Sequence, residues 1–368
     1  MQFIDLNVQQ KRIRGKIENN VKKVLDHGRY ILGPEVKELE ERLADYVGTK
    51  YSIGVASGTD ALLMILMSYG VGPGDAVFTT PFTFIATAEV IQLMGGTPVF
   101  VDIDADTFNM NSERLEDKII ETQSTDLTPK GIIPVDLFGQ PADYDEIKHI
   151  AQKYDLFVLE DGAQSFGASY KSKKACSLAD VSCTSFFPAK PLGAYGDAGM
   201  IFTDNIDIYK KLVSIRTHGQ GSNKYENVRI GVNGRIDTVQ AAILLAKFEI
   251  FDEEINLRQG VAKRYSEKLK DFVNVPYVKD FNVSAWAQYS VLHSERDKLL
   301  KKLKEKEIPF AIYYPKPLHL QEAFSNLGYK KGDFPVSEHV SETIFSLPFY
   351  PYLKLEDQEK IVEAIIKD

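Results

Sequence analysis

The sequence predicts an α/β fold in which a mainly parallel sheet lies between layers of helix, followed by a smaller C-terminal α/β domain. From about residue 50 to 205, short apolar runs alternate with amphipathic stretches. The apolar runs are β-branched and continuous rather than alternating, as strands buried on both faces require. A chain of 368 residues also exceeds what one core usually spans, so two domains are expected.

Taken in order, the opening MQFIDLNVQQKRIRGK lacks the apolar centre of a secretory signal. A strand-like SIGVA meets Ser57, Gly58 and Thr59 where the apolar helix ALLMIL begins. AVFTT (76–80), PVFVDID (98–104), GIIPVDL (131–137), LFVLED (156–161) and GMIFTD (199–204) read as strands. FIATAEVIQLM (84–94) and DYDEIKHIAQKY (143–154) carry helical spacing between them. From 238 to 272 the chain has no proline and keeps that spacing, which predicts one long helix or two nearly continuous ones. WAQYSVLHS, a charged helix ERDKLLKKLKEKE, a strand-like PFAIYY and a last helix from about Leu355 complete the second unit. The division is expected near residue 250, giving domains 1–250 and 251–368, with the N-terminal segment free to pack elsewhere.

Composition excludes several classes. Hydrophobic residues at 44% and charged residues at 26% describe a soluble globular chain. A net charge of −8 argues against a nucleic-acid surface, and no apolar run reaches membrane-spanning length. Cys176 and Cys183 form no CxxC pair and read as reduced thiols of a cytoplasmic protein. No histidine pair has metal-ligand spacing. His149, His319 and His339 read as surface residues, whereas His218, in RTHGQ, stands between a surface and a site role.

Four stretches are able to carry chemistry. In GVASGTDALLMIL, Ser57 to Thr59 serve either as an ordinary N-cap or as a phosphate cradle of free amide groups on the helix dipole. The dinucleotide and P-loop patterns are absent, which leaves other phosphate-bearing cofactors open. In LFVLEDGAQSFGA, Asp161 ends a strand, as a turn aspartate or as a carboxylate for a protonated ring nitrogen. In SFFPAKPLGAYGDAGMIF, Lys190 sits among Phe186, Phe187, Pro188, Pro191 and Leu192. Desolvation there lowers an amine's pKa and makes it nucleophilic; a plain loop lysine is the bland alternative. Gly193, Gly196 and Gly199 are expected to permit tight reversals nearby. In FTFIATAE, Phe84 is either core or a stacking face. Together the four match the needs of pyridoxal 5′-phosphate, whose aldehyde a lysine holds as a Schiff base.

SGTDAL, EDGAQSFGA, SFFPAKPLGAYGDAG, RTHGQ and GVNGRID, with FIDLNVQQ and SLPFYPYL at the ends, resemble the sugar-nucleotide aminotransferases of the DegT/DnrJ/StrS family. These are fold-type-I pyridoxal phosphate enzymes, and the likeness spans essentially the whole chain. It implies Lys190 as the cofactor-linked lysine and proton shuttle, where some relatives carry histidine and dehydrate instead. It implies Asp161 as partner of the ring nitrogen, Gln164 beside the phenolic oxygen and Phe84 against the ring. Gly58, Thr59 and Ser185 fall at phosphate positions, and Asn233 at the residue sent across a homodimer interface to the neighbouring subunit's phosphate. Within the family the chain is similar to enzymes aminating C3 of UDP-2-acetamido-3-oxo sugars, the 3-oxo-glucuronate type in particular, with glutamate as amino donor and lipopolysaccharide or a related glycan as destination. Gly28, Tyr30, Arg235 and Tyr314 match substrate positions there.

Two matched positions depart from the pattern. Ala189 stands where serine is common, and Tyr313 where a histidine is expected. Both changes remove groups able to hold a polar or anionic substrate arm. A neutral UDP-2-acetamido-3-oxo-glucose, a dTDP-3-oxo-6-deoxyhexose or a 4-oxo sugar therefore stays open. A dehydratase or isomerase on the same scaffold, and a sensor that binds without turnover, are the rival functions.

Overall fold

A computed structural model describes residues 1–223 and 225–367. Helices α1 (Leu6–His27) and α2 (Pro34–Val47) lead into β1 (Tyr51–Val55) and α3 (Gly58–Tyr69). Then follow β2 (Asp75–Thr79), α4 (Ala86–Leu93), β3 (Thr97–Phe100), α5 (Ser112–Thr122), β4 (Thr128–Ile132), α6 (Tyr144–Lys153) and β5 (Phe157–Asp161). Short strands β6 (Ser169–Tyr170) and β7 (Lys173–Lys174) precede β8 (Val181–Ser185), β9 (Gly199–Thr203) and α7 (Ile206–Ile215). The seven-stranded sheet has the order β1-β9-β8-β5-β4-β2-β3, and β9 alone runs against its neighbours.

The sheet is buried on both faces because successive residues of each strand point to opposite sides. Phe78, Val158 and Phe202 join α2, α5 and α6 in one core. Their neighbours Val77, Leu159 and Ile201 join α3, α4 and α7 in the other. The result is three layers, as the continuous apolar runs predict.

The long proline-free stretch resolves into two helices, α8 (Thr238–Phe248) and α9 (Phe251–Leu269), with Ile250 out of helical conformation between them. Beyond lie β10 (Asn282–Val283), β11 (Tyr289–Leu292), α10 (Arg296–Glu305), α11 (Pro335–Thr343), β12 (Ile344–Leu347) and α12 (Leu355–Ile366). Strands β11 and β12 pair, and Val261, Tyr265, Val291, Leu303, Phe345 and Ile361 build a further core. The N-terminal segment reaches it: Ile4 packs against this core, and Phe349 N donates to the Phe3 carbonyl at 3.1 Å. Helix α1 itself rests on α8 through Ile13, Ile17, Ile243 and Ala246.

Two expectations are corrected, and one strand was not foreseen. PFAIYY forms only a bridge from Ala311 to Ser346, since Pro309, Pro315 and Pro317 bracket it with residues that lack an N–H. Strand β8 has no counterpart among the predicted strands because Ser182, Cys183 and Thr184 hide its burial in polar side chains. His319 is not a surface residue; it is 2% exposed, 3.0 Å from Glu338 and packed against the Phe334 ring.

Candidate active site

The strand ends deliver the predicted residues to one edge of the sheet. Val55 of β1, Ser185 of β8 and Gly199 of β9 are in register across three strands. Ser57 caps α3, its hydroxyl accepting from Asp60 N at 3.0 Å, so Gly58 and Thr59 open the helix beside Ser185. A Cβ at Gly58 would meet the Ser185 Cβ at 2.8 Å. Free amides at a helix start beside a serine hydroxyl make an anion cradle.

Asp161 closes β5 with its side chain 3% exposed. It accepts from the Thr87 hydroxyl at 2.8 Å and from Ala163 N at 3.2 Å. Burial raises its carboxyl above the usual range, opposed by these two bonds and by Lys190. Burial in turn pulls the Lys190 ammonium down to about 8, opposed by Asp161. Part of the Lys190 surface remains open to the site, while its charged end is crowded by protein. A lysine with a substantial neutral fraction near a buried carboxylate is equipped for attack on a carbonyl and for proton transfer.

Gln164 is locked in place, accepting from Phe138 N at 2.6 Å and donating to the Tyr314 hydroxyl at 3.3 Å. Tyr314 also packs edge-on against Phe82, and burial raises its phenol. Phe84 is 55% exposed just before α4, its face available rather than in the core. Gly28, in the left-handed region at φ 69°, ends α1; Tyr30 is 50% exposed, and its carbonyl accepts from Thr238 N at 2.9 Å. Arg235 pairs with Val55 through the backbone, and its Nε is buried without a hydrogen-bond partner. Asn233 and His218 lie on the surface. Ala189 borders Lys190 in a small cavity shared with Tyr352. Tyr313 is partly buried against Phe3.

The glycines near Lys190 act differently from expectation. None of Gly193, Gly196 and Gly199 adopts a positive φ. They permit close approach instead: a Cβ at Gly199 would lie 2.6 Å from the Ser57 carbonyl, and one at Gly193 would run into that of Pro188. Thr87 and the Phe138 amide are functional neighbours that the sequence reading missed. Thr87 lies inside the helix pattern predicted for 84–94, and nothing local ties it to residue 161; a backbone donor has no residue signature at all.

Residues 11–366 match the DegT/DnrJ/EryC1/StrS aminotransferase family. The chain is 50% identical, over 99% of both chains, to a UDP-2-acetamido-2-deoxy-3-oxo-D-glucuronate aminotransferase of Pseudomonas aeruginosa. A crystal structure of a family aminotransferase from Brucella abortus superposes with a TM-score of 0.97 at 50% identity, covering 99% of this chain and 98% of that one. The pyridoxal phosphate form of a putative sugar aminotransferase from Streptococcus pneumoniae superposes with a TM-score of 0.88 at 27% identity, covering 95% of each chain. This chain belongs to the DegT/DnrJ/EryC1/StrS aminotransferase family.

Proposed function

We propose that the chain is a pyridoxal 5′-phosphate-dependent aminotransferase that moves an amino group from glutamate to a keto sugar carried on a nucleotide. The sugar is a UDP-2-acetamido-2-deoxy-3-oxo-hexose or -hexuronate aminated at C3, and the product serves a bacterial surface polysaccharide. The observation that carries the reading is the Lys190 amine, pulled down to about 8 beside the buried Asp161 carboxylate.

The residues fit the cofactor. Asp161 would pair with a protonated ring nitrogen, whose charge would offset the burial that raises its carboxyl. The Gly58 and Thr59 amides with the Ser185 hydroxyl would hold the phosphate, and the Gly58 approach to Ser185 leaves no room there for a side chain. The exposed Phe84 would lie against the ring, and Gln164, held by Phe138 N and Tyr314, would meet its polar edge. When bound, the cofactor supplies an aldehyde for the amino group and a ring that stores the electron pair left on carbon. Lys190 Nζ, drawn toward the neutral amine by burial, would be the group that takes up and returns a proton beside the bound substrate.

Gly28, Tyr30, Arg235 and Tyr314 hold the sugar nucleotide, and the unpartnered Arg235 Nε is a donor awaiting an anionic or carbonyl group. Ala189 and Tyr313 set how a C6 arm is received. Asn233 completes the phosphate site of a second copy in a cytoplasmic homodimer, a role its surface position supports together with the exposed Val228 and Ile230. A division near residue 250, between domains 1–250 and 251–368, is supported by the break between α8 and α9.

Borohydride reduction of the loaded chain should attach the cofactor at residue 190, and Lys190→Ala should abolish that attachment. Mass spectrometry of products from 3-oxo and 4-oxo UDP- and dTDP-sugars with glutamate then assigns the substrate. Product from 4-oxo sugars alone overturns the C3 assignment, and no amino exchange with any keto sugar overturns transamination.

A further inference from the structure

We infer that Lys247 is a positioning residue for the loop that carries Lys190. The inference rests on the reading of Lys190 given above. Lys247 lies in the last turn of α8 and is 1% exposed. Its Nζ donates to the Gly193 carbonyl at 2.5 Å and sits 4.5 Å from the centre of the Tyr195 ring. A lysine so completely enclosed is costly unless its donors are taken up. Here one of them is taken up by the backbone of the Lys190 loop.

Phe186, Leu192 and Ala194 seat the ends of that loop in the main core, but its backbone has few other hydrogen-bonded anchors. Lys190 N donates to the Phe187 carbonyl at 2.9 Å and Ala194 N to that of Phe186 at 2.8 Å, both within the loop itself. Gly193 is pressed so closely on Pro188 that a side chain would collide, and the bend turns its carbonyl toward α8. Lys247 therefore ties a self-contained bend to the helical layer beneath it. Tyr195 N adds a second tie just past the bend, donating to the Gln240 side chain at 2.9 Å.

The charge on Lys247 is balanced locally. Ala189, Lys190 and Gly193 form one wall of a small cavity, and Lys247, Glu254 and Arg258 form another. Glu254, 1% exposed, accepts from Gln9 Nε2 at 2.9 and 2.7 Å, so α1 pins the counter-charge. Arg258 donates to the Trp286 carbonyl at 2.8 Å. The titratable groups around Lys247 are thus Tyr195, Glu254 and Arg258, with Lys190, Tyr350 and Tyr352 on the same cavity. Burial draws the Lys247 ammonium down to about 8, and Glu254 opposes that shift.

The test uses the full chain freed of cofactor, so it does not depend on turnover. Trace acylation across the neutral to alkaline range, read by mass spectrometry at residue 190, gives the midpoint at which its amine becomes reactive. Wild type should titrate near 8. In Lys247→Met the loosened loop admits water, and the midpoint should rise by at least about one unit toward the ordinary lysine value, a tenfold loss of neutral amine. Amide hydrogen exchange at Lys190 and Ala194 should speed at least about tenfold, while β8 and β9 stay protected. Lys247→Arg, which keeps a charged donor, should recover most of both effects.

An unchanged midpoint in folded Lys247→Met overturns the inference. A raised midpoint without faster local exchange also overturns it, because that pattern is charge alone. Should Lys247→Met not fold, Glu254→Gln keeps the volume and one of the two Gln9 contacts while removing the counter-charge, and no change in either measurement there is equally fatal. Borohydride attachment at residue 190 of wild type tests the parent reading separately, so either idea can fail while the other stands.

Discussion

Asp161→Asn should separate the chemistry of the site from the stability of the fold. The side chain is 3% exposed and accepts from the Thr87 hydroxyl and from Ala163 N. An asparagine can reuse this geometry. Its carbonyl oxygen accepts from Ala163, and its amide donates to Thr87, whose hydroxyl turns to Thr83 at 3.3 Å. Shape is kept and a buried charge is removed. Because burial raises the Asp161 carboxyl, the native chain binds that proton more tightly than the unfolded chain does. The contribution is therefore fully present below the ordinary carboxylate range and is lost as pH rises through the folded value. Each unit of elevation weakens the fold by about 1.4 kcal/mol at neutral pH. Thermal melts of the cofactor-free chain should show the asparagine variant above wild type at neutral pH, with the gap closing in acid. In the loaded enzyme kcat should fall at least about a hundredfold, ~2.7 kcal/mol, since a neutral amide cannot offset a protonated nitrogen. A variant less stable than wild type at neutral pH, or one that keeps full turnover, refutes this account of Asp161.

Gly58→Ala should weaken cofactor retention about tenfold or more, measured by absorbance after dialysis, because its Cβ would lie 2.8 Å from that of Ser185 and overpacking costs about 1–3 kcal/mol. Arg216 donates to Glu40 at 2.6 Å and to the Gly54 carbonyl at 2.9 Å with only 8% of its side chain exposed. Arg216→Met strands that carboxylate and should lower stability by about 3 kcal/mol, read from the shift of the urea midpoint. Mixing Lys190→Ala chains with Asn233→Ala chains should restore turnover. If Asn233 serves the partner's site, the hybrid dimer has one site with both residues intact, and no recovery on mixing excludes a shared site.

What the sequence disclosed and what it hid follow from the range of the interactions. Asp161 stood out as a candidate at the end of an apolar run and Lys190 as a lone charge inside one, whereas Ser185, closing a strand of polar side chains, came only with the family motif. The helical character of the 238–272 stretch was legible from its spacing, which left one long helix or two nearly continuous ones open. Thr87 was hidden because its partner lies 74 residues away, and the Gln164 contact with Tyr314 spans 150. The buried ammonium of Lys247 looked like one more helical lysine. Its enclosure depends on α1, α9 and the Lys190 loop arriving together. Strand β8 was hidden because its hydroxyl and thiol side chains satisfy themselves on neighbours: Ser182 donates to Glu160 at 2.7 Å, and Thr184 to the Gly162 carbonyl at 2.9 Å.

The sheet's direction explains why residues so scattered in sequence become one site. Strands β1, β2, β4, β5 and β8 all run the same way, so the segments that leave their carboxyl ends converge on a single edge. Those segments supply Ser57 to Thr59, Phe84 and Thr87, the Phe138 amide, Asp161, and Ser185 with Lys190. The reversed strand β9 enters from that edge, and its first residue, Gly199, has no side chain to separate Ser57 from Ser185. A side chain at position 199 would push the α3 amino end away from β8 and open the cradle without touching any residue that carries charge. The residues proposed to meet the substrate lie outside this edge, at the end of α1 and at Tyr313 and Tyr314. On the proposed reading, the residues at the strand ends are fixed by the sheet, whereas those of the flanking segments could change without disturbing it.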